Sequence, residues 1–128
     1  MVSTSVIDVN AKNWEKEVLK SNVPVVVEFW HQRCIWCLRL TPIYNELSKE
    51  YEGKLKFAKV NIFESHENQH LAIHYGVMGT PTLIFFCQGR PVDAIVGFRP
   101  KDHLKTEIDH VLSHSKECIE KSTSLPTA

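Results

Sequence analysis

The pattern of apolar residues along the chain changes period several times, and each change predicts a new element. Residues 23–30 are almost continuously apolar, and Glu28 is the one charged residue among them. A run with no wet face is typical of a central strand that has helices on both sides of its sheet. Residues 34–51 instead show the spacing of an amphipathic helix, with apolar side chains at Leu40, Ile43, Leu47 and Tyr51.

The other segments complete an alternating series of strands and helices. By the same criteria, we predict strands over residues 5–9, 24–30, 55–62, 82–87 and 92–96, and helices over residues 10–22, 34–51, 65–75 and 100–112. The order β-α-β-α-β-α-β-β-α needs parallel crossovers early and an antiparallel hairpin around Gly89 late. These connections predict an α/β fold with three α/β/α layers and a mixed central sheet.

Length and composition are those of one globular domain. The chain has 128 residues, of which 43% are hydrophobic and 23% are charged. We place this domain at residues 1–115. Residues 116–128 are rich in Ser, Thr and Lys, and we expect them to form a flexible C-terminal tail.

Charge and the absence of targeting patterns narrow the class of function. Fifteen basic and fifteen acidic side chains give a net charge of zero, so neither nucleic acid nor a membrane is an expected partner. The first residues lack the charged and apolar regions of an export signal, and no apolar stretch is long enough to span a bilayer. We therefore expect a cytoplasmic protein. In that compartment, four cysteines indicate redox or metal chemistry rather than a framework of structural disulfides.

The candidate chemistry lies in a pair of cysteines directly after the apolar run. Cys34 and Cys37 are separated by two residues, where the predicted strand gives way to the predicted helix. A thiol in the first turn of a helix has its pKa lowered by the unpaired backbone N–H groups there, which favours the nucleophilic thiolate. Cys37 follows at i+3 on the same helical face, so one sulfur can attack and the other can resolve.

The sequence around this pair resembles the thioredoxin family over residues 5–113. Besides the CxxC pair itself, the similarity is carried by residues 27–30, Pro42, Lys59, residues 76–82 and Gly97. The resemblance implies a thioredoxin fold. It also implies that Pro81 follows a cis peptide bond and faces the two cysteines, with the backbone of Thr80 free to pair with an extended client segment.

The resemblance further implies roles for the residues around the cysteines. Glu28 stands where thioredoxins carry Asp, and there it would assist proton transfer at Cys37, with Lys59 beside it. Because Glu28 interrupts an apolar strand, its pKa should rise unless a cation pairs with it, and a salt-bridged Glu28 with no chemical role is the alternative. Substrate binding is implied for Trp30, Arg33, Ile35, Trp36, Gly79, Thr80, Pro81 and Gly97.

We therefore predict a thiol–disulfide oxidoreductase that reduces disulfides in client proteins. The resemblance implies a monomer that needs no bound cofactor or metal and is recharged by a thioredoxin reductase dependent on pyridine nucleotide or ferredoxin. Two alternatives remain open. The CxxC pair could hold a metal or an iron–sulfur cluster with His31 or a second subunit supplying further ligands, or the chain could be a non-catalytic interaction module.

The remaining cysteines and histidines have simpler interpretations. Cys87 lies in a predicted strand and should behave as a small buried hydrophobe. Cys118 lies in the predicted tail, where we expect an exposed thiol. His66, His70 and His74 recur every four residues, which resembles metal-ligand spacing, but exposure to solvent is the expectation for all three.

Two departures from the usual family pattern bear on the redox potential. Ile35 and Trp36 replace the usual Gly-Pro between the cysteines, and Arg33 replaces the usual Trp before them. The Arg33 cation favours the Cys34 thiolate, and a stabilised thiolate makes the disulfide more oxidising. We expect a potential less negative than the roughly −270 mV of ordinary thioredoxin. Equilibration with glutathione buffers measures it, and a value at or below the thioredoxin figure would contradict the argument.

Overall fold

A five-stranded sheet forms the centre of the protein. The structure is a computed structural model that describes residues 5–124, without the side chains of residues 115–117 and 119–124. The strands are β1 (Ile7–Asp8), β2 (Val25–Trp30), β3 (Lys56–Asn61), β4 (Thr82–Cys87) and β5 (Arg90–Val96). The helices are α1 (Ile35–Glu50), α2 (His66–His74) and α3 (Lys101–Ser124), with a short π-helix at Glu15–Leu19.

The sheet is mixed, as its connections predicted. Its strand order is β1-β3-β2-β4-β5, which puts β2 in the centre. Strands β1 and β2 both pair with β3 in parallel, whereas β4 runs antiparallel to β2 and β5. Phe29 pairs with Thr82, so the end of β2 and the start of β4 meet at the same edge of the sheet.

Helices cover both faces of the sheet, which confirms the three-layer prediction. Along β2, Val26 belongs to a core that includes residues of α1 and α3, while Val25, Val27 and Phe29 belong to a second core on the opposite face. All five residues from Val25 to Phe29 are buried. The absence of a wet face in the sequence of this strand therefore follows from its position in the fold.

The segment after β1 differs from the helix predicted over residues 10–22. The Asn10 side chain accepts backbone N–H hydrogen bonds from two and three residues further on, at 2.8 and 3.1 Å. The only regular helix in the segment is the five-residue π-helix. Trp14 packs on Phe29, Tyr75 and Phe86, so burial of this large ring overrides regular α-helical spacing.

The turn between β4 and β5 requires an unusual backbone. Gln88 and Gly89 both have positive φ, 56° and 76°, and Cys87 pairs with Arg90 across them. Two consecutive positive φ values are typical of the tight two-residue hairpin. A Cβ on Gly89 would lie 3.0 Å from the Leu19 carbonyl oxygen, so both conformation and space favour glycine there.

The end of the chain differs from the prediction in two ways. Helix α3 continues past residue 115 to Ser124, where a flexible tail was expected, and residues 125–128 lie outside the described residues. Cys118 in this helix forms a disulfide with Cys87, so the interpretation of both as free thiols was wrong. Cys87 is nevertheless buried, as predicted. A domain boundary at residue 115 stays a prediction. Neither α3 nor any other helix within residues 5–124 is both long and apolar enough to cross a membrane.

Candidate active site

The cysteine pair lies at the junction between the central strand β2 and helix α1. Cys34 is the N-cap of α1, with an extended backbone at φ −89° and ψ 105°. Its Sγ accepts a hydrogen bond from the backbone N–H of Cys37 at 3.1 Å, so the sulfur occupies the end of the helix where N–H groups are unpaired. Cys34 and Cys37 form a disulfide across a Cα–Cα distance of 5.2 Å.

Burial distinguishes the two sulfurs. The exposed fraction of Cys34 is 9%, whereas that of Cys37 is 0%. An external thiol or disulfide can therefore reach the pair only at Cys34. The geometry fits an attacking Cys34 and a resolving Cys37 and does not fit the reverse assignment.

A second loop lies at the same edge of the sheet, just before β4. The Thr80–Pro81 peptide bond is cis, as the resemblance implied. The Thr82 hydroxyl donates to the Gly79 carbonyl at 2.6 Å, and the Gly97 N–H donates to the Pro81 carbonyl at 2.8 Å. Gly97 has φ +94°, a conformation that favours glycine. Of the backbone hydrogen bonds placed within residues 5–124, none involves Thr80.

The loop around Pro81 forms a groove together with Trp36, the second residue between the cysteines. Trp36, Thr80, Pro81, Gly97 and Phe98 line it. The Trp36 ring is 47% exposed and has its centroid 5.3 Å from that of Phe98. The Arg39 guanidinium lies 4.8 Å from the Trp36 centroid, a cation–π contact that holds the ring in place. Sequence reasoning missed Phe98, although it follows directly after the predicted Gly97.

The buried acid lies beneath the first turns of α1. Even-numbered residues of β2 point to the face that α1 covers, because side chains alternate along a strand. The 3% exposed Glu28 therefore shares a small cavity with Trp30, Thr41, Tyr44, Asn45 and Lys59. The Thr41 hydroxyl donates to the Cys37 carbonyl at 3.1 Å, which places this cavity one helical turn from Cys37.

Burial controls the protonation of Glu28. Burial raises the pKa of Glu28 from its ordinary value of 4.5 to about 7, and the Lys59 ammonium opposes that rise. Lys59 is the β3 residue paired with Glu28, but its Nζ also lies 3.9 Å from the exposed Asp8 carboxylate. Lys59 thus divides its charge between two carboxylates, and burial remains the larger effect on Glu28.

Tyr44 was not predicted, yet its side chain closes the cavity from within the core. Its hydroxyl donates towards the Ala58 and Val26 carbonyls, at 2.7 and 3.0 Å. Burial, with the nearby Glu28 charge as a smaller contribution, raises the pKa of Tyr44 well above its ordinary value. Tyr44 therefore stays protonated and acts as a wall rather than a proton donor to Glu28. The helical pattern gave this ring no distinct signal, because a buried Tyr resembles any other core aromatic.

The structure separates the other predicted site residues into two groups. Trp30 lines the Glu28 cavity with its ring centroid 5.2 Å from Lys59 Nζ, so it is not part of the groove. Arg33 and Ile35 are exposed on the loop and the first turn around Cys34. His31, whose ring stacks on the exposed Phe63 at 4.5 Å, forms a second aromatic surface beside the cysteines that sequence reasoning did not single out.

The histidines of α2 occupy a different part of the molecule. His66, His70 and His74 are exposed, as expected. Within the part of the chain that the structure describes, no three His, Cys, Asp or Glu side chains lie close enough to hold a metal ion. The described site consists of a disulfide-bonded CxxC pair, a buried acid and an open groove, which defines the class of a CxxC protein with a three-layer α/β/α fold.

Comparison with known proteins places this class within a family. A family model for thioredoxin matches residues 5–110. Thioredoxin 1 of Nostoc sp. is 40% identical over 101 residues, which cover 79% of this chain and 92% of that protein. The chloroplastic M-type thioredoxin of Brassica napus is 42% identical over 110 residues, 86% of this chain and 60% of that protein. Chloroplastic thioredoxin M5 of Oryza sativa subsp. japonica is 38% identical over 112 residues, 88% of this chain and 63% of that protein.

These matches identify the chain as a member of the thioredoxin family. It spans about three fifths of the length of the two plant relatives. The matched region contains both cysteines, Glu28 and the loop at Pro81.

The raised pKa of Glu28 predicts an unusual dependence of stability on pH. Between pH 4.5 and about 7 the folded protein holds a proton that the unfolded chain has lost, so stability falls as pH rises through this window. The complete loss amounts to about 3 kcal/mol. In Glu28→Gln this contribution is absent, and the variant should gain about that much relative to the unmodified protein between pH 4.5 and 8. Denaturant unfolding at a series of pH values measures the difference.

Glu17→Gln is the matched control, because the Glu17 carboxylate has the opposite shift. Its hydrogen bond from Lys56 Nζ at 2.7 Å lowers the pKa of Glu17, so its stabilisation is present above pH 4.5 and is lost as pH falls. Glu17→Gln should therefore leave the slope between pH 5 and 7 unchanged. Equal slopes in Glu28→Gln and the unmodified protein between pH 4.5 and 7 would show that the fold does not raise the pKa of Glu28.

Proposed function

We propose that the protein is a disulfide reductase that acts on client proteins through Cys34 and Cys37. The observation that carries this proposal is the asymmetry of the pair, with Cys34 accessible at a helix N-terminus and Cys37 fully buried behind it. Membership of the thioredoxin family supports the same activity. A non-catalytic interaction module would not require two cysteines that differ in exposure in this way.

The proposed reaction is a two-step exchange. The Cys34 thiolate attacks one sulfur of a client disulfide, forms a mixed disulfide, and releases the other client sulfur as a thiolate. Cys37 then loses its proton and attacks Cys34, which closes the Cys34–Cys37 disulfide and releases the second client thiolate. The client gains two electrons and the protein loses two, so each turnover consumes one dithiol.

Glu28 is the proposed acceptor of the Cys37 proton. A carboxyl group with a pKa of about 7 divides its population evenly between base and acid near neutral pH, as an efficient proton-transfer group requires. The Lys59 ammonium would stabilise the carboxylate during the step. In Glu28→Gln, the rate at which Cys37 resolves the mixed disulfide should no longer rise as pH increases through 7. This change in a rate distinguishes the proton-transfer role from the effect of Glu28 on stability.

The groove beside Cys34 is the proposed binding surface for the client. An extended segment could pair with the backbone of Thr80, which has no backbone partner within residues 5–124, in the manner of an added strand. The Trp36 and Phe98 rings would then receive an apolar side chain near the client cysteine. Arg33, Ile35 and Gly79 would contact the client around this centre, while Trp30 would contribute through the Glu28 cavity.

A reductase and a compartment complete the proposal. Because each turnover leaves a Cys34–Cys37 disulfide, a thioredoxin reductase dependent on pyridine nucleotide or ferredoxin is the proposed partner that regenerates the dithiol. The cytoplasm is the proposed compartment, since its reducing thiol pool favours the dithiol form. The protein is proposed to act there as a monomer that exposes one groove.

Variants of the two cysteines test the activity. Cys34→Ser should abolish the reduction of insulin by dithiothreitol above the uncatalysed rate, because no other sulfur at the site is accessible. Cys37→Ser should instead trap a mixed disulfide with the client through Cys34, visible by mass spectrometry without reductant. An unmodified protein that gives no acceleration would refute the proposal, and a trap that forms through another cysteine would refute the assigned roles.

A Trp36 variant tests the client groove. Trp36→Ala removes the apolar wall, so KM for a peptide disulfide with a flanking aromatic residue should rise about tenfold while kcat changes little. Ile35→Ala is the matched comparison, because Ile35 also lies between the cysteines but does not line the groove, so it should raise KM less than Trp36→Ala does. Equal effects of the two substitutions would assign them to the redox potential instead of to client binding.

A further inference from the structure

The second disulfide joins the sheet to the last part of α3, which lies beyond the region that matches the family model. The family match ends at residue 110, and α3 continues to Ser124. Leu104, Ile108 and Val111 are buried on the face of α3 that contacts the sheet. Cys118 follows Val111 at i+7, so it continues the same helical face two turns further on.

Little else in the sequence holds this extension to the fold. Among residues 113–124, Cys118 and Ile119 are the only hydrophobic residues. An isolated stretch of this length is marginal as a helix in water, because helical stability in proteins comes mainly from packing. The bond from Cys118 to the buried Cys87 therefore supplies the anchor that apolar packing supplies for the first part of α3.

The bond lies at the opposite end of β4 from the active site. Thr82 begins β4 beside Phe29, and Cys87 ends it beyond the pairing of Phe86 with Val25. Five strand intervals separate the two ends by roughly 17 Å. Cys34 of the same molecule cannot reach this disulfide, so any exchange must come from another molecule.

We propose that Cys87 and Cys118 form a second thiol–disulfide site, a clamp that holds residues 113–124 against the sheet and opens when an external dithiol attacks Cys118. Cys118 is the partly exposed sulfur of the pair, whereas Cys87 is only 2% exposed. The reactant class is a dithiol that is more reducing than the Cys34–Cys37 pair, with dithiothreitol as the probe.

The opening step balances as an ordinary exchange. A thiolate of the external dithiol bonds to the Cys118 sulfur, the Cys87–Cys118 bond breaks, and Cys87 leaves as a thiolate and takes up a proton. The second thiol of the reactant then loses its proton and attacks its own partner, which releases Cys118 as a thiolate and closes the reactant's disulfide. Two electrons pass from the reactant to the clamp.

Burial makes the clamp harder to reduce than the active-site pair. The leaving Cys87 thiolate would form in apolar surroundings, which disfavours a charge. Reduction of Cys34–Cys37 instead frees a Cys34 thiol at a helix N-terminus, where the thiolate is favoured, and this stabilises the reduced form of the active-site pair. The clamp should therefore stay closed in buffers that already reduce Cys34–Cys37.

Two double variants, each of which retains only one of the two cysteine pairs, test the proposal. Cys34→Ser/Cys37→Ser leaves the clamp, and Cys87→Ser/Cys118→Ser leaves the active-site pair as the matched control. Both are equilibrated with graded dithiothreitol buffers, free thiols are counted by alkylation, and amide hydrogen exchange is followed. The clamp should need the more reducing buffer, and its opening should speed exchange at residues 113–124 about tenfold or more while residues 104–111 stay protected.

Specific results would overturn the proposal. A monomeric Cys34→Ser/Cys37→Ser protein with two free thiols after oxidation, or a dimer linked through Cys118, would show that the intramolecular bond does not form. Unchanged exchange at residues 113–124 after reduction would show that the bond clamps nothing. Cys118→Ala in the otherwise unmodified chain is the second measurement, and it should speed exchange at residues 113–124 without changing insulin reduction.

Discussion

Burial of β2 on both faces is the constraint on which the rest of the structure depends. Because neither face of this strand meets water, α1 must cross one face directly, and the chain can only turn into α1 at the edge of the sheet. That turn places Cys34 at a helix N-terminus and Cys37 inside the protein. The same burial places Glu28 under α1, where water cannot stabilise its charge. The positions of Cys34, Cys37 and Glu28 thus follow from one packing arrangement.

The environment of Glu28 is a compromise between two requirements. A fully paired carboxylate would be ionised at all relevant pH values, and a fully unpaired one would stay protonated and could accept no proton. Lys59 provides partial compensation because it lies between Glu28 and the exposed Asp8. The outcome is a carboxyl group that changes charge near neutral pH, at a cost in folding stability above that pH. Structural stability and the proposed proton transfer therefore oppose each other at this residue.

Most of the fold was predictable because its elements carry strong local signals. The almost continuously apolar run of β2, the helical spacing of α1 and the glycine turn at Gly89 each have a single physical interpretation. The π-helix after β1 was not predictable, since the burial of Trp14 depends on rings from distant parts of the sequence. The residues of the candidate site also differ in whether the sequence could predict them. Cys34 and Cys37 stand out by their spacing, whereas Phe98 and Tyr44 acquire their roles only from neighbours brought close by folding.

The two disulfides illustrate how one strand separates two kinds of sulfur chemistry. The loop at Pro81 and the groove beside Cys34 lie at one end of β4, and the buried Cys87 lies at the other end. The helix N-terminus at Cys34 favours a thiolate, so the bond there is easily exchanged. Apolar surroundings at Cys87 disfavour a thiolate, so the bond there is retained. Position within the fold, rather than the identity of the residue, thus decides which disulfide is placed for the proposed turnover and which one is placed to hold a helix.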